Sequence, residues 1–225
     1  MDQERFDIVV AGGGPGGTST AISLAQRGYR VVLFEREQFP RFHVGESLLP
    51  AMWDLWDSLG VTPRLEEMGF PVKQGVNFSL PNVPEDLAFR TDEFPEYFQR
   101  PWTYHVDRAR FDQVLLDRAR EAGVEVREGW TVDEVLFEGS RAVGVMVHEG
   151  GDESVAHRVA SSVVVDATGR ACLLARRLGW RRPDPALNKL SYFTHFRGAH
   201  RRLSSKTYYS SAALPRAPDR HRRGL

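Results

Sequence analysis

Apolar and polar positions along the chain follow two periods, and the places where one gives way to the other mark the elements. Residues 5–11 (RFDIVVA) form a short apolar run rich in β-branched residues, the pattern of a buried parallel strand. A cluster of glycines follows, and a helical pattern from about Pro15 to Arg27 sets Ala21, Leu24 and Ala25 on one small apolar face before Gly28 stops it. A second strand over 29–34 (YRVVLF) runs into Glu35. Helical spacing returns at Leu48, Met52, Leu55, Trp56 and Leu59, with Ser47 as the expected N-cap and Trp53 and Trp56 as packing residues. Asp107 is placed to cap a helix from Arg108 to Ala122, ended by Gly123, after which VEVRE reads as another strand of the parallel sheet. Meander strands are expected over 130–137, 142–149 and 154–160, separated by EGSR and EGGD turns, and 162–166 then re-enters the buried sheet.

The glycine cluster carries the first chemistry. Gly12-Gly13-Gly14-Pro15-Gly16-Gly17 satisfies GxGxxG between a strand and a helix. Gly12 permits the tight turn, Gly14 lets backbone approach a pyrophosphate, and Gly17 lets the helix pack closely on the strand. Glu35 lies 23 residues after Gly12, near the spacing at which a carboxylate reaches the ribose hydroxyls of an adenosine. Strand, turn, helix, strand and terminal acid together predict a dinucleotide site. Physically they require only an adenosine diphosphate, so a nicotinamide enzyme stays open on this unit alone.

Composition narrows the classes. The 225 residues are 41% hydrophobic and 27% charged, as in a soluble globular protein. Thirty basic and thirty acidic residues cancel, so nothing global points to nucleic acid or an anionic membrane. The single cysteine, Cys172, excludes an internal disulfide framework or a multi-cysteine zinc site, and a reducing cytoplasmic setting is expected. No export signal and no membrane span are read from the sequence. His43, His105 and His195 lack ligand spacing, so no metal is assigned, and no nucleophile elbow supports Ser-His-Asp chemistry. The balance hides an asymmetry: residues 197–225 hold eight basic residues against Asp219 alone. That tail lacks periodicity and is rich in Arg, Ser, Ala and Pro.

The run G-x-G-x-x-G-x3-A-x2-L-x3-G-x2-V-x3-E from Gly12 to Glu35 resembles the FAD form of the motif in glutathione-reductase-type flavoproteins. FHVGESLLP, residues 42–50, resembles the flavin-contacting loop of FAD-dependent halogenases of the tryptophan, phenol and pyrrole type and of their monooxygenase-like relatives. VDRARFDQVLL (106–116), VVVDATGR (163–170) and LSYFTHFRG (190–198) are similar to later segments of the same flavoproteins, so the resemblance runs over about residues 5–198. It implies an α/β fold: a Rossmann-like, three-layer FAD-binding domain with a parallel sheet and a β-meander, and the beginning of a substrate-binding β-sheet. The FAD-binding domain is expected over 1–75 and 102–190, a partial substrate-binding region over 76–101 and 191–198, and a non-native or disordered basic tail over 199–225.

The same resemblance implies the site. Gly12, Gly14, Pro15, Gly17, Glu35, Arg36, Gly45, Glu46, Ser47, Arg110, Asp166 and Gly169 would bind FAD. Lys73, shortly after the GES-loop helix, matches the lysine that receives or relays hypohalous acid; its ordinary alternative is an exposed lysine at a strand edge. The activity implied is halogenation of an electron-rich aromatic by reduced FAD, dioxygen and halide. Its partners would be a flavin reductase and an aromatic substrate, which a carrier protein could present. The rivals are a flavin monooxygenase, a polyprenyl (geranylgeranyl) reductase and, from another class, a non-catalytic nucleotide-binding fragment. Phe94, Tyr97 and Phe98, in the proline- and acid-rich stretch 82–101, are available for an aromatic pocket. The second FAD motif, the WxWxIP segment and the downstream glutamate of the family are not found, and a truncated or frame-shifted product is expected.

Overall fold

The apolar run at 5–11 becomes β1 (Arg5–Ala11), held between two parallel neighbours, β2 (Val31–Glu35) and β9 (Ala156–Asp166). The structure, a computed structural model, describes residues 4–79, 87–98, 100–151, 155–187, 190 and 207–213. Beyond β2 lies β6 (Glu125–Glu128), also parallel; beyond β9 come β8 (Arg141–Glu149) and β7 (Trp130–Glu138), both antiparallel, giving the order β6-β2-β1-β9-β8-β7. Side chains alternate along a strand, and the two faces of β1 and β2 serve two cores. Ile8, Val10, Val31 and Leu33 pack against helices α1 (Pro15–Ala25), α2 (Trp53–Leu59) and α4 (Arg108–Glu121), while Phe6, Val9, Val32 and Phe34 pack against Val135, Val145, Val147 and Val159 of the meander. Helices, parallel sheet and meander are the three layers, as the sequence predicts.

β9 differs from its expectation. Instead of a meander strand followed by a separate core strand, one continuous strand pairs antiparallel with β8 over 156–160 and parallel with β1 over 160–166. The handover falls opposite Gly144, where an added Cβ would lie 2.2 Å from the Val159 carbonyl oxygen, so only glycine lets the strands approach there.

The helix after the 42–50 loop also starts differently. A 3₁₀ turn, Pro50–Met52, precedes α2, and no side chain caps either one. Ser47 instead sits in an antiparallel bridge with His105. Proline at the first position supplies the helical φ without needing a donor, which makes a serine cap dispensable. Asp107 does cap α4 as expected, accepting from Ala109 N at 2.9 Å. Trp53 and Trp56 are buried, and Trp53 stacks edge-on against Trp56, Trp102 and Tyr104 while donating its indole N–H to Trp102 O at 2.6 Å. α3 (Thr62–Glu67) follows α2 beyond the left-handed turn at Gly60.

A smaller sheet forms around β3 (Val72–Ser79). β4 (Leu87–Arg90) and β5 (Thr103–Tyr104) pair antiparallel with it, and β10 (Thr207–Ala213) pairs parallel on the other side. The expected boundary at 75/76 cuts through β3, which is a single strand. Within the 199–225 segment expected to lie outside the fold, residues 207–213 are a strand; the rest of that segment, and 191–198, lie outside the described residues.

Candidate functional site

The carboxyl ends of β1, β2 and β9 meet at one point, and the glycine loop turns there. In open parallel sheets this is where ligands bind. Gly12 N donates to Phe34 O at 2.8 Å, and Ala167 N donates to Ala11 O at 2.9 Å, tying the loop to both neighbouring strands. A Cβ on Gly12 (φ +109°) would lie 2.4 Å from Ala167 O, and one on Gly17 would lie 1.9 Å from Gly12 O. These two glycines are required by packing. Gly14 and Gly16 are different: an added Cβ meets only Arg41 Nη2, at 3.7 Å, in the first case and nothing within 4 Å in the second. Their backbone faces space that a pyrophosphate can occupy, and α1 begins at Pro15 with no side-chain cap on its amides. The loop therefore fits a dinucleotide.

Glu35 is buried beside this turn. One carboxylate oxygen accepts from Gly13 N at 2.7 Å and the other from Glu37 N at 2.9 Å. It fixes the loop and retains lone pairs for a ribose. Arg36 follows it, exposed. Asp166 ends β9 and organises the next turn, accepting from Thr168 N (3.0 Å), Thr168 Oγ1 (2.6 Å) and Leu174 N (2.8 Å). Gly169, in the left-handed region at φ +59°, opens the short 3₁₀ turn that leads to α5 (Leu173–Arg177). Both residues thus shape the backbone that abuts Gly12.

Arg110 does not reach this cluster. Its guanidinium donates to Met68 O at 3.1 Å and lies over the Phe70 ring, on the outer face of α4. Two residues earlier, one helical face away, Arg108 is buried and bidentate to Asp112, at 2.7 and 2.8 Å, with Nη1 also donating to Val44 O at 3.1 Å. Asp112 is fully buried and takes a second arginine, Arg41, at 3.3 Å. Arg41 borders Gly14, and Arg108 borders Gly45, whose added Cβ would lie 2.9 Å from its Nη1. One carboxylate therefore holds two cations, one at each glycine turn. The i,i+4 spacing of Arg108 and Asp112 is visible in the sequence, but the long-range contact with Arg41 is not.

The 42–50 loop runs beside β5 almost as an added strand: Val106 N donates to Glu46 O at 2.8 Å and Leu48 N to Tyr104 O at 3.2 Å. A cavity of about 680 Å³ opens between this loop and the start of α1, lined by Pro15, Gly16, Gly45, Ser47, Arg108 and Leu49 among others. That volume is in the range of small-molecule sites. Leu49 also walls a second cavity, of about 190 Å³, which holds Lys73. Lys73 is 3% exposed, and its Nζ donates to Leu48 O at 2.8 Å. It is not at an open strand edge, since β5 and β10 pair with β3 at this residue. Burial pushes its pKa down, favouring the neutral amine. His105 is pushed down too, first by burial and then by the Lys73 charge. Of the expected aromatics, Phe94 lines the small cavity, while Tyr97 is exposed and lines neither.

A glycine turn at the carboxyl ends of parallel strands, a buried acid beside it and an arginine-flanked cavity define a dinucleotide-binding α/β protein. Residues 7–178 match the family described as FAD dependent oxidoreductase, and the chain belongs to that family. FAD is its cofactor. Among curated relatives, the 1H-pyrrole-2-carbonyl-(peptidyl-carrier protein) chlorinase of Pseudomonas fluorescens is 35% identical over 222 residues, covering 92% of this chain and 49% of the relative. The corresponding brominase of Pseudoalteromonas luteoviolacea is 32% identical over 234 residues, covering 99% of this chain and 55% of the relative. The chain thus spans about half the length of the curated relatives it matches. The brominase match also runs past Gly198, where the sequence reading ends the resemblance. Among solved structures, the myxobacterial chondrochloren halogenase CndH has a TM-score of 0.67 at 44% identity, over 73% of this chain and 37% of that one. The flavin-dependent halogenase CmlS has a TM-score of 0.70 at 31% identity, over 78% and 31%.

Proposed function

We propose that this chain carries the FAD-binding part of a cytoplasmic flavin-dependent halogenase of secondary metabolism, acting on an electron-rich aromatic such as a carrier-bound pyrrole. The observation that carries the reading is the position of Lys73: buried, anchored to the carbonyl of a residue in the 42–50 loop, and inside a cavity that shares the Leu49 wall with the larger one. The backbone of Gly12, Gly14, Pro15 and Gly17 would hold the pyrophosphate, Glu35 and Arg36 the adenosine side, and Gly45, Glu46 and Ser47 the flavin side. Asp166 and Gly169 shape the turn behind them. Arg108 and Arg41 supply the positive charge there, in place of Arg110.

Bound FAD, reduced by a partner flavin reductase, supplies the electrons with which dioxygen oxidises halide to hypohalous acid. The loop carbonyl of Leu48 holds Lys73 Nζ at the wall between the cavities. There its N–H groups hydrogen-bond the acid's oxygen, and its neutral form, favoured by burial, presents a lone pair. The apolar side chains of Leu49, Val76 and Phe94 line the cavity beside that contact and would shed water once a substrate covers them.

The test supplies the protein with FAD, a flavin reductase, NADH and carrier-bound pyrrole-2-carboxylate, with and without bromide, and reads product mass. A bromide-dependent brominated product, lost in Lys73→Met while FAD binding persists, is expected. Oxygen insertion without halide would point to a monooxygenase, saturation of an isoprenoid chain to a polyprenyl reductase, and FAD binding with no turnover to the non-catalytic fragment.

A further inference from the structure

Strand register brings a second titratable side chain to Lys73, one to which nothing above gives a role. Lys73 pairs with Thr103 across β3 and β5, and two residues further on His105 N donates to Pro71 O at 2.9 Å. On its other side His105 forms the bridge with Ser47, flanked by the bonds from Val106 N to Glu46 O and from Leu48 N to Tyr104 O. Bonds on the flanking residues mark a non-hydrogen-bonded pair, the kind whose Cα atoms lie about 4.5 Å apart and whose side chains are closest. Opposed residues share a face and alternate residues return to it, so Lys73, His105 and Ser47 project from one side of this three-segment ladder. The lysine side chain crosses β5 on that side, since its Nζ ends on the carbonyl of Leu48, next to Ser47. The Lys73 amine and the His105 imidazole are thus brought to the same stretch of loop. Lys73 lines the small cavity and Ser47 the large one, so the half-buried His105 stands between the two. Other charges nearby are turned away or engaged. Glu46 opposes Val106, and Glu66 and Arg100 act on Tyr104, residues that project from the other face, while Asp107 is engaged as the cap of α4.

We propose that His105 is the proton-transfer partner of Lys73: it takes the proton that leaves the lysine ammonium and releases it past Ser47 into the larger cavity. One N–H bond of the ammonium breaks and one forms on the imidazole ring, while the bonding pair stays on Nζ as its lone pair. The imidazolium then gives a proton to water in the larger cavity and is neutral again. His105 acts through Lys73 and touches no substrate. Burial of Lys73 makes a direct exchange with bulk water slow, which is why a neighbouring acceptor matters, and imidazole is the side chain best suited to take and return a proton near neutral pH. The two titrations support the placement, since the Lys73 charge is one of the causes that hold His105 low. The inference deepens the halogenase reading, in which Lys73 meets the acid as a neutral amine, but the proton route exists or not independently of turnover.

The test follows hydrogen exchange of the Lys73 ammonium with solvent by ¹⁵N NMR of the full chain, alongside the ¹³C titration of the His105 ring, in the wild type, Lys73→Met, His105→Gln and His105→Asn. Lys73→Met and His105→Gln assign the two signals. Wild-type exchange is expected to follow the neutral fraction of His105, rising with pH and levelling off above the midpoint of the ring. His105→Gln and His105→Asn are each expected to slow it about tenfold or more and to leave a hydroxide-driven rate that climbs steadily with pH, the loss of one positioned acid–base group. Using both variants keeps the comparison if either one misfolds by circular dichroism. Lys73→Met is expected to raise the His105 midpoint, because a facing positive charge is gone. An unchanged exchange rate in a folded His105 variant, or a wild-type rate that ignores the His105 midpoint, overturns the proposal, as does a His105 midpoint that Lys73→Met leaves in place. Failure of the halogenase reading would appear separately, in the product mass described above, and would leave these exchange rates as they are.

Discussion

The nucleotide end and the lysine end of the molecule are built in different ways. At the nucleotide end, β1, β2 and α1 are adjacent in sequence, and Val9, Val10, Ala11, Ala21, Ile22, Val32 and Leu33 have no exposure at all. At the lysine end, the small sheet joins strands from residues 72–79, 87–90, 103–104 and 207–213, and Leu49, Phe89 and Phe94 stay substantially exposed around the cavity. The first region is a local device closed by its own core. The second depends on contacts across long stretches of chain, with its apolar walls open to whatever binds there. Backbone geometry shapes the candidate site at one end, and side-chain burial shapes it at the other.

The largest expected effect lies at the local end. Gly17→Ala places a Cβ against the Gly12 carbonyl, which no rotamer can relieve, and is expected to cost more than about 4 kcal/mol and abolish FAD binding, read by urea denaturation and flavin titration. Next is Asp112→Ala, which strands two arginines in a buried setting and is expected to cost about 3–5 kcal/mol; a loss under about 1 kcal/mol in the same denaturation experiment would show the pair to be solvated. Arg108→Ala is expected to weaken FAD about tenfold or more, as loss of a charged hydrogen-bond donor does, while Arg110→Ala changes it by less than about twofold.

The smallest expected effect is a pH slope at the lysine end. Lys73 and His105 are both held below their ordinary values, 10.5 and 6.5, so the folded chain binds fewer protons than the unfolded one. Stability then rises with pH up to about 6.5 through His105 and, at higher pH, up to about 10.5 through Lys73. Lys73→Met is expected to flatten the upper rise and leave the lower one in place, though smaller because the lysine charge is gone. The urea midpoint followed from pH 5 to 11 checks both.

The nucleotide unit was legible because its signals are local. Turn glycines, helix stop, strand and acid fall at fixed offsets, and each has one steric reason. The α4 cap at Asp107 was legible for the same reason. Arg108 escaped the sequence reading, which chose Arg110, because two residues on a helix lie on nearly opposite faces, and only the buried partner Asp112 shows that Arg108 turns inward. Ser47 was misjudged because a serine before an apolar helix resembles a cap wherever it falls, and the bridge to His105 that claims it is a contact across 58 residues. The burial of Lys73 and its place on one face with His105 depend on strand pairing between distant segments, which periodicity does not encode.

The most direct test of the central claim, that these residues alone build an adenosine diphosphate cradle with its charge at Arg108, is a calorimetric titration of the purified chain with FAD, run in parallel for Arg108→Ala and Arg110→Ala. The account predicts saturable one-to-one binding in about the micromolar range, weakened about tenfold or more by the first substitution and unaffected by the second. No saturable binding by the folded chain, or equal losses in the two variants, would contradict it.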